Sequence, residues 1–201
     1  MLLEIVRTMN FKESLSIQFD SFSDLFNQVD LFINIDKAIG IINNIQGICY
    51  FTGVGKNMYV ASRVASTYDS LGIRSIFIDP VHTLHGSMGI FTEKDCVIAI
   101  SKSGNTAELV VFLKALKNTG FKKIISITSN LRSQLSELSE LSIPVKVKQE
   151  GDQFNLAPIA SNMLFGAILD SIAVDLSYKR GYSKKDFVKN HPGGELGKTE
   201  V

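Results

Sequence analysis

The sequence predicts an α/β fold, a three-layer α–β–α sandwich around a five-stranded parallel sheet, with extra helices at the N-terminus. Three observations carry that expectation. Five short apolar runs alternate with segments of helical spacing. The runs are continuously apolar, as in 96–101 (CVIAIS), which is the pattern of strands covered on both faces. Ahead of the first run there is helical periodicity and no strand signal.

Taken in order, residues 1–46 form a helical segment of the same domain, and 47–201 form the α/β unit. Phe22, Leu25, Phe26, Val29, Phe32 and Ile33 recur at helical spacing, and Ile41, Ile42 and Ile45 continue the apolar face. This predicts one long helix after a shorter one, with a break near Asp20 and Ser21. So many large apolar residues outside the alternating pattern predict a surface that covers the sheet and also contacts another subunit. The strands are then expected at 47–52, 74–79, 96–101, 123–128 and 143–148. Helices fill the gaps up to about Leu71, from Thr106 to Asn118, and from Arg132 to Glu140. A last apolar helix is expected from Pro158 to about Lys179, with proline in the first turn where its missing N–H costs nothing. Residues 80–89, bounded by proline and glycine, are expected to form a loop.

The chain of 201 residues is 45% apolar and 20% charged, ordinary for a globular protein with a real core. A formal net charge of +1 gives no electrostatic case for nucleic acid or an anionic membrane as partner. No apolar stretch approaches the roughly 20 residues of a membrane span. Glu4 and Arg7 stand too early for a signal peptide. Cys49 and Cys96 lie inside apolar runs and are expected as buried thiols, which points to the cytoplasm.

The densest chemistry follows the third strand. Ser101, Ser103 and Thr106 supply hydroxyls, Gly104 lets backbone approach closely, and a helix begins with its free N–H groups aimed at the turn. Serine and threonine also cap helices without any ligand. Three hydroxyls and a glycine within six residues exceed what one cap requires, so the turn is read as a phosphate site.

Other candidates are less specific. Gly53, Val54, Gly55 and Lys56 follow the first strand, but a dinucleotide fingerprint would need its third glycine at Met58, and Asn57 stands where a Walker loop needs Ser or Thr. What remains is a tight turn with a lysine at the edge where ligands bind in open α/β sheets, or equally a turn with a surface lysine. His82 and His85 are three apart but lack a third ligand, so no metal is expected. Glu150 closes the fifth strand at the same edge, although a carboxylate in a polar loop is usually just solvated. His191 opens a turn-rich segment, HPGGELG, expected to be ordered and packed.

Together, GVGK at 53–56, HGSMG at 85–89, SKSGNTAE at 101–108, LAP at 156–158 and HPGGELGK at 191–198 resemble sugar isomerase (SIS) domains. More narrowly they are similar to the arabinose-5-phosphate isomerase family. The resemblance implies a SIS, flavodoxin-like fold and interconversion of D-ribulose 5-phosphate and D-arabinose 5-phosphate, feeding synthesis of the sugar Kdo for lipopolysaccharide or capsule. It implies catalytic roles for Lys56, Glu108, Glu150 and His191. It places the phosphorylated pentose against Gly55, Ser101, Ser103, Gly104, Thr106 and His85. It further implies no cofactor, and a homotetramer whose sites draw histidines from a neighbouring subunit. Asn57 and Asn105 depart from residues common in relatives, and the paired CBS domains that follow in many of them are not expected here. A non-catalytic sugar-phosphate sensor and an isomerase of a hexulose or heptulose phosphate are the other readings.

Overall fold

The computed structural model describes residues 9–198 and holds a parallel sheet in the order β2-β1-β3-β4-β5. Its strands are β1 (Cys49–Gly53), β2 (Ser75–Phe77), β3 (Cys96–Ile100), β4 (Ile124–Thr128) and β5 (Leu141–Pro144). Glu4 and Arg7, the residues that argue against a signal peptide, lie outside the described part.

Each strand sends alternate side chains to opposite faces. Cys49 and Phe51 of β1 and Ile98 and Ile100 of β3 pack under α2 (Val29–Asn43), α3 (Lys56–Ser70) and α7 (Ala160–Lys179). Tyr50, Val97 and Ala99 face the other way, against α5 (Ala107–Asn118) and α6 (Gln134–Leu138). All five residues of β1, β3 and β4 are buried, which explains their continuous apolar reading. The three-layer sandwich is therefore the one the sequence predicts. Cys49 and Cys96 sit opposite each other on β1 and β3 as free, fully buried thiols 3.4 Å apart. Burial pushes the Cys49 thiol well up. No helix among the described residues is long and apolar enough to cross a membrane.

Four local expectations need correction. The N-terminal region forms two helices of equal length, α1 (Phe11–Leu25) and α2, separated at 26–28. Ser21 does not break α1, because its hydroxyl donates back to the Ile17 carbonyl at 2.7 Å and stays inside the helix. The fifth strand runs from Leu141 to Pro144, not 143–148. Its partner β4 ends at Thr128, and the N–H and C=O of Lys146 are instead bonded by the Gln28 side chain at 2.9 and 3.2 Å. Residues 80–89 are largely helical rather than a loop. Asp79 caps α4 (Pro80–Leu84), with proline in its first turn, and a single 3-10 turn follows over Met88–Ile90. Finally, α7 begins at Ala160, two residues after Pro158.

The strand order places the site. From β1 the chain crosses to one face of the sheet through α3, and from the adjacent β3 it crosses to the other face through α5. The crevice where neighbouring connections diverge, at the carboxyl edge, is where open α/β sheets bind ligands.

Candidate active site

Gly53 pairs with Ile100, so the turn carrying Lys56 and the turn carrying Ser101 leave strands only about 4.8 Å apart. Gly55 adopts φ +62°, a conformation that disfavours a side chain, and open space lies above it. Lys56 is the first residue of α3 and is exposed.

The second turn is held from below. Ser101, buried, accepts the Gly104 N–H at 3.1 Å and shares a hydrogen bond with the Thr106 hydroxyl at 2.9 Å. The Lys102 carbonyl accepts from the Ser129 N–H and the Thr128 hydroxyl, the Ser103 carbonyl from Asn130, and the Gly104 carbonyl from the Leu135 N–H. With its carbonyls tied down toward β4 and α6, the turn presents its donor side to the crevice. Gly104 has φ +68°, and a Cβ there would lie 2.1 Å from the Ser133 hydroxyl, so no larger residue fits. Thr106 precedes α5 without forming a side-chain cap, leaving the first N–H groups of the helix to an anion. Ser103 and Glu108 are exposed beside it.

Glu150 is buried at 1% exposure. Its Oε2 accepts the N–H groups of Ile159 and Ser161, each at 3.0 Å, and its Oε1 accepts Lys102 Nζ at 2.5 Å. Burial alone would raise this carboxyl. The hydrogen bonds from Lys102 and Ser161 outweigh that effect and hold it below the usual glutamate range. Next to it, Asn162 of α7 donates to Asn57 of α3 at 2.7 Å, tying the two helix starts together. Asn105, the other departure from the family pattern, accepts the Gln134 N–H and so helps to start α6.

The structure thus brings Gly55, Lys56, Ser101, Ser103, Gly104, Thr106, Glu108 and Glu150 to one edge. His85 ends α4, which packs on α5, and is exposed. His191 is elsewhere. It follows α8 (Lys184–Asn190), and that arm hangs from the far end of α3, where the Tyr182 hydroxyl donates to the Ser70 carbonyl at 3.0 Å and accepts from Asn190 at 2.8 Å. The opposite edge of the sheet, roughly 20–30 Å away along α3 and α7, separates it from the turns of its own chain. Within the single chain, α8 buries no residue and packs chiefly on α9 (Gly194–Gly197). The ring stacks on Phe187, and Nδ1 lies 2.7 Å from the Phe187 carbonyl. That carbonyl can only accept, so the neutral ring carries its proton on Nδ1 and Nε2 is the basic nitrogen.

Sequence reasoning missed Lys102, Ser161 and the Asn57–Asn162 pair. No local spacing signals them, since Lys102 and Glu150 are 48 residues apart. A concavity of about 720 Å³ lies at the amino edge between Phe91, Lys94, Gly120 and Lys123, and includes none of these site residues.

Among known proteins, the SIS domain family model matches residues 46–174. Arabinose 5-phosphate isomerase KdsD of Pseudomonas aeruginosa is 37% identical over 162 residues, 81% of this chain and 49% of that protein. Arabinose 5-phosphate isomerase KpsF of Escherichia coli O6:H1 strain CFT073 is 33% identical over 187 residues, 93% of this chain and 57% of that protein. The chain therefore spans about half the length of these curated relatives. A solved structure of E. coli CFT073 c3406 in complex with arabinose 5-phosphate superposes with a TM-score of 0.86 at 31% identity, covering 90% of this chain and 95% of that one. On fold and sequence alike, the chain belongs to the SIS domain family.

Proposed function

We propose that this chain is an aldose–ketose isomerase interconverting D-ribulose 5-phosphate and D-arabinose 5-phosphate. The observation that carries the reading is the hydroxyl-lined turn at 101–106, with an uncapped helix start and a glycine that admits no side chain, next to Lys56, Glu108 and a charged Glu150. The relatives named arabinose 5-phosphate isomerase, and the similar structure that holds arabinose 5-phosphate, support the choice of pentose.

In this reading Ser101, Ser103, Thr106 and the Gly104 backbone hold the 5-phosphate, with Gly55 giving the sugar room above the neighbouring turn. The reaction removes a proton from C1 of the ketose, passes through an enediol and returns a proton to C2. His191 Nε2 of an adjacent subunit is the base, Lys56 offsets charge on the enediolate oxygen, Glu108 moves hydroxyl protons and His85 contacts the sugar. Glu150, already charged and bonded, orients its surroundings. A homotetramer supplies the missing histidine, and the exposed Phe11, Leu15 and Phe19, one face of α1, give it an apolar contact. The enzyme then works in the cytoplasm at the entry to Kdo synthesis.

Incubation with ribulose 5-phosphate and separation of the aldopentose phosphates tests the proposal. Arabinose 5-phosphate is expected to accumulate to a fixed ratio with the ketose. Binding without conversion would favour the sensor reading, and conversion only of a hexulose phosphate would transfer the assignment to another isomerase.

A further inference from the structure

We propose that Lys102 is a positioning residue of this site: it clamps Glu150 from within the phosphate turn, so that the carboxylate keeps its place only while that turn keeps its shape. Its effect on turnover rests on the isomerase reading, whereas the clamp itself stands on geometry.

Lys102 is fixed at both ends. Its main chain is held by Ser129 and Thr128 at the end of β4, and its ammonium reaches Glu150 Oε1 at 2.5 Å. It stands between Ser101 and Ser103, the two serines offered to the phosphate. Glu150 is equally constrained. Its N–H donates to Asn155 at 2.7 Å, its carbonyl accepts from Ala160, and Oε2 takes the N–H groups of Ile159 and Ser161. Asn155 is the single non-glycine residue with positive φ among those described, so the loop is bent to fit this arrangement. Without Lys102, Oε1 would be a buried oxygen with no counter-charge.

The groups bonded to the Glu150 carboxylate are Lys102 from the turn and, at the start of α7, the Ile159 and Ser161 N–H groups. The α1 side meets this loop near Gly151 through Ser14, and the nearby Lys148 is paired with Asp24 at 2.6 Å. Lys102 is thus the charge that sets the state of Glu150, and its side chain, 37% exposed, can be exchanged without opening the core.

The test compares the full-length protein with Lys102→Met, Lys102→Gln and Lys102→Arg. Carbon-13 NMR of labelled glutamate carboxyls, with Glu150 assigned from Glu150→Gln, follows its titration, and circular dichroism verifies folding. In Lys102→Met and Lys102→Gln the Glu150 midpoint is expected to move up and the acidic limb of kcat/KM to move up with it. Turnover falls between about tenfold and 10²-fold with little change in KM, and Lys102→Arg restores both readouts. A Glu150 midpoint unchanged in the folded Met or Gln variant overturns the clamp. Should neither neutral variant fold, a Lys102→Arg midpoint displaced from wild type overturns it and an unchanged one supports it. If the wild-type protein isomerises no pentose phosphate, the functional reading fails, and the NMR titration still decides the role of Lys102.

Discussion

Lys56 begins α3, where the positive end of the helix dipole opposes a cation and no acid in the first turn offsets it. A side chain placed against its local preference points to use rather than support. Lys56→Gln is therefore expected to leave the melting temperature unchanged or raise stability by up to about 1 kcal/mol. Turnover of ribulose 5-phosphate should fall by on the order of 10²–10³-fold. Parallel thermal denaturation and steady-state kinetics check both; a clear loss of stability with turnover intact would contradict the role. At this scale the sequence was informative wherever chemistry was local, as at Ser101, Ser103, Gly104 and Thr106. It was silent on Lys102, whose partner is brought near only by the packing of β4, the 148–159 loop and α7.

Two helix starts meet at the carboxyl edge and are treated differently by the chain. The N-terminus of α7 already has an anion, since Glu150 takes two of its first N–H groups, whereas α5 starts without a side-chain cap. In the proposed reading the phosphate is thereby directed to α5. Because Glu150 is held below its ordinary range, its contribution to stability is present above the unfolded glutamate value of about 4.3 and is lost as pH falls through the lower native value. Thermal unfolding across pH should show wild type more stable than Glu150→Gln near neutrality, with the gap closing on acidification; a gap independent of pH would contradict the charged state. The element pattern was legible in the sequence because β1, β3 and β4 are buried on both faces. It failed at 145–148, where the alternation of Val145, Lys146, Val147 and Lys148 has the period of a strand but β4 has no residues left to pair with it.

Across the whole molecule, the 101–106 turn with Lys56 and Glu108 lies at one end and the His191 arm at the other. Periodicity could forecast the sandwich, since layers follow from which residues are buried, but it could not place an arm that buries nothing of its own. If a neighbour's arm completes each site, His191→Ala and Glu108→Gln should each lose on the order of 10²-fold or more in turnover. Unfolding and refolding the two variants together should then restore part of it through hybrid sites, and mixtures no better than either variant alone would place His191 outside the site.

The central claim, that a sugar phosphate held at the β1–β3 crevice is isomerised there, is tested most directly by following ribulose 5-phosphate labelled with carbon-13 at C2 in real time by NMR, with phosphorus-31 observed in the same sample. The C2 carbonyl signal is expected to fall to a constant level while that of the C2 alcohol of arabinose 5-phosphate grows, and Ser101→Ala is expected to weaken both binding and conversion. A phosphorus signal perturbed by wild-type protein while the carbonyl keeps its full intensity and no C2 alcohol signal grows would contradict isomerisation at this crevice.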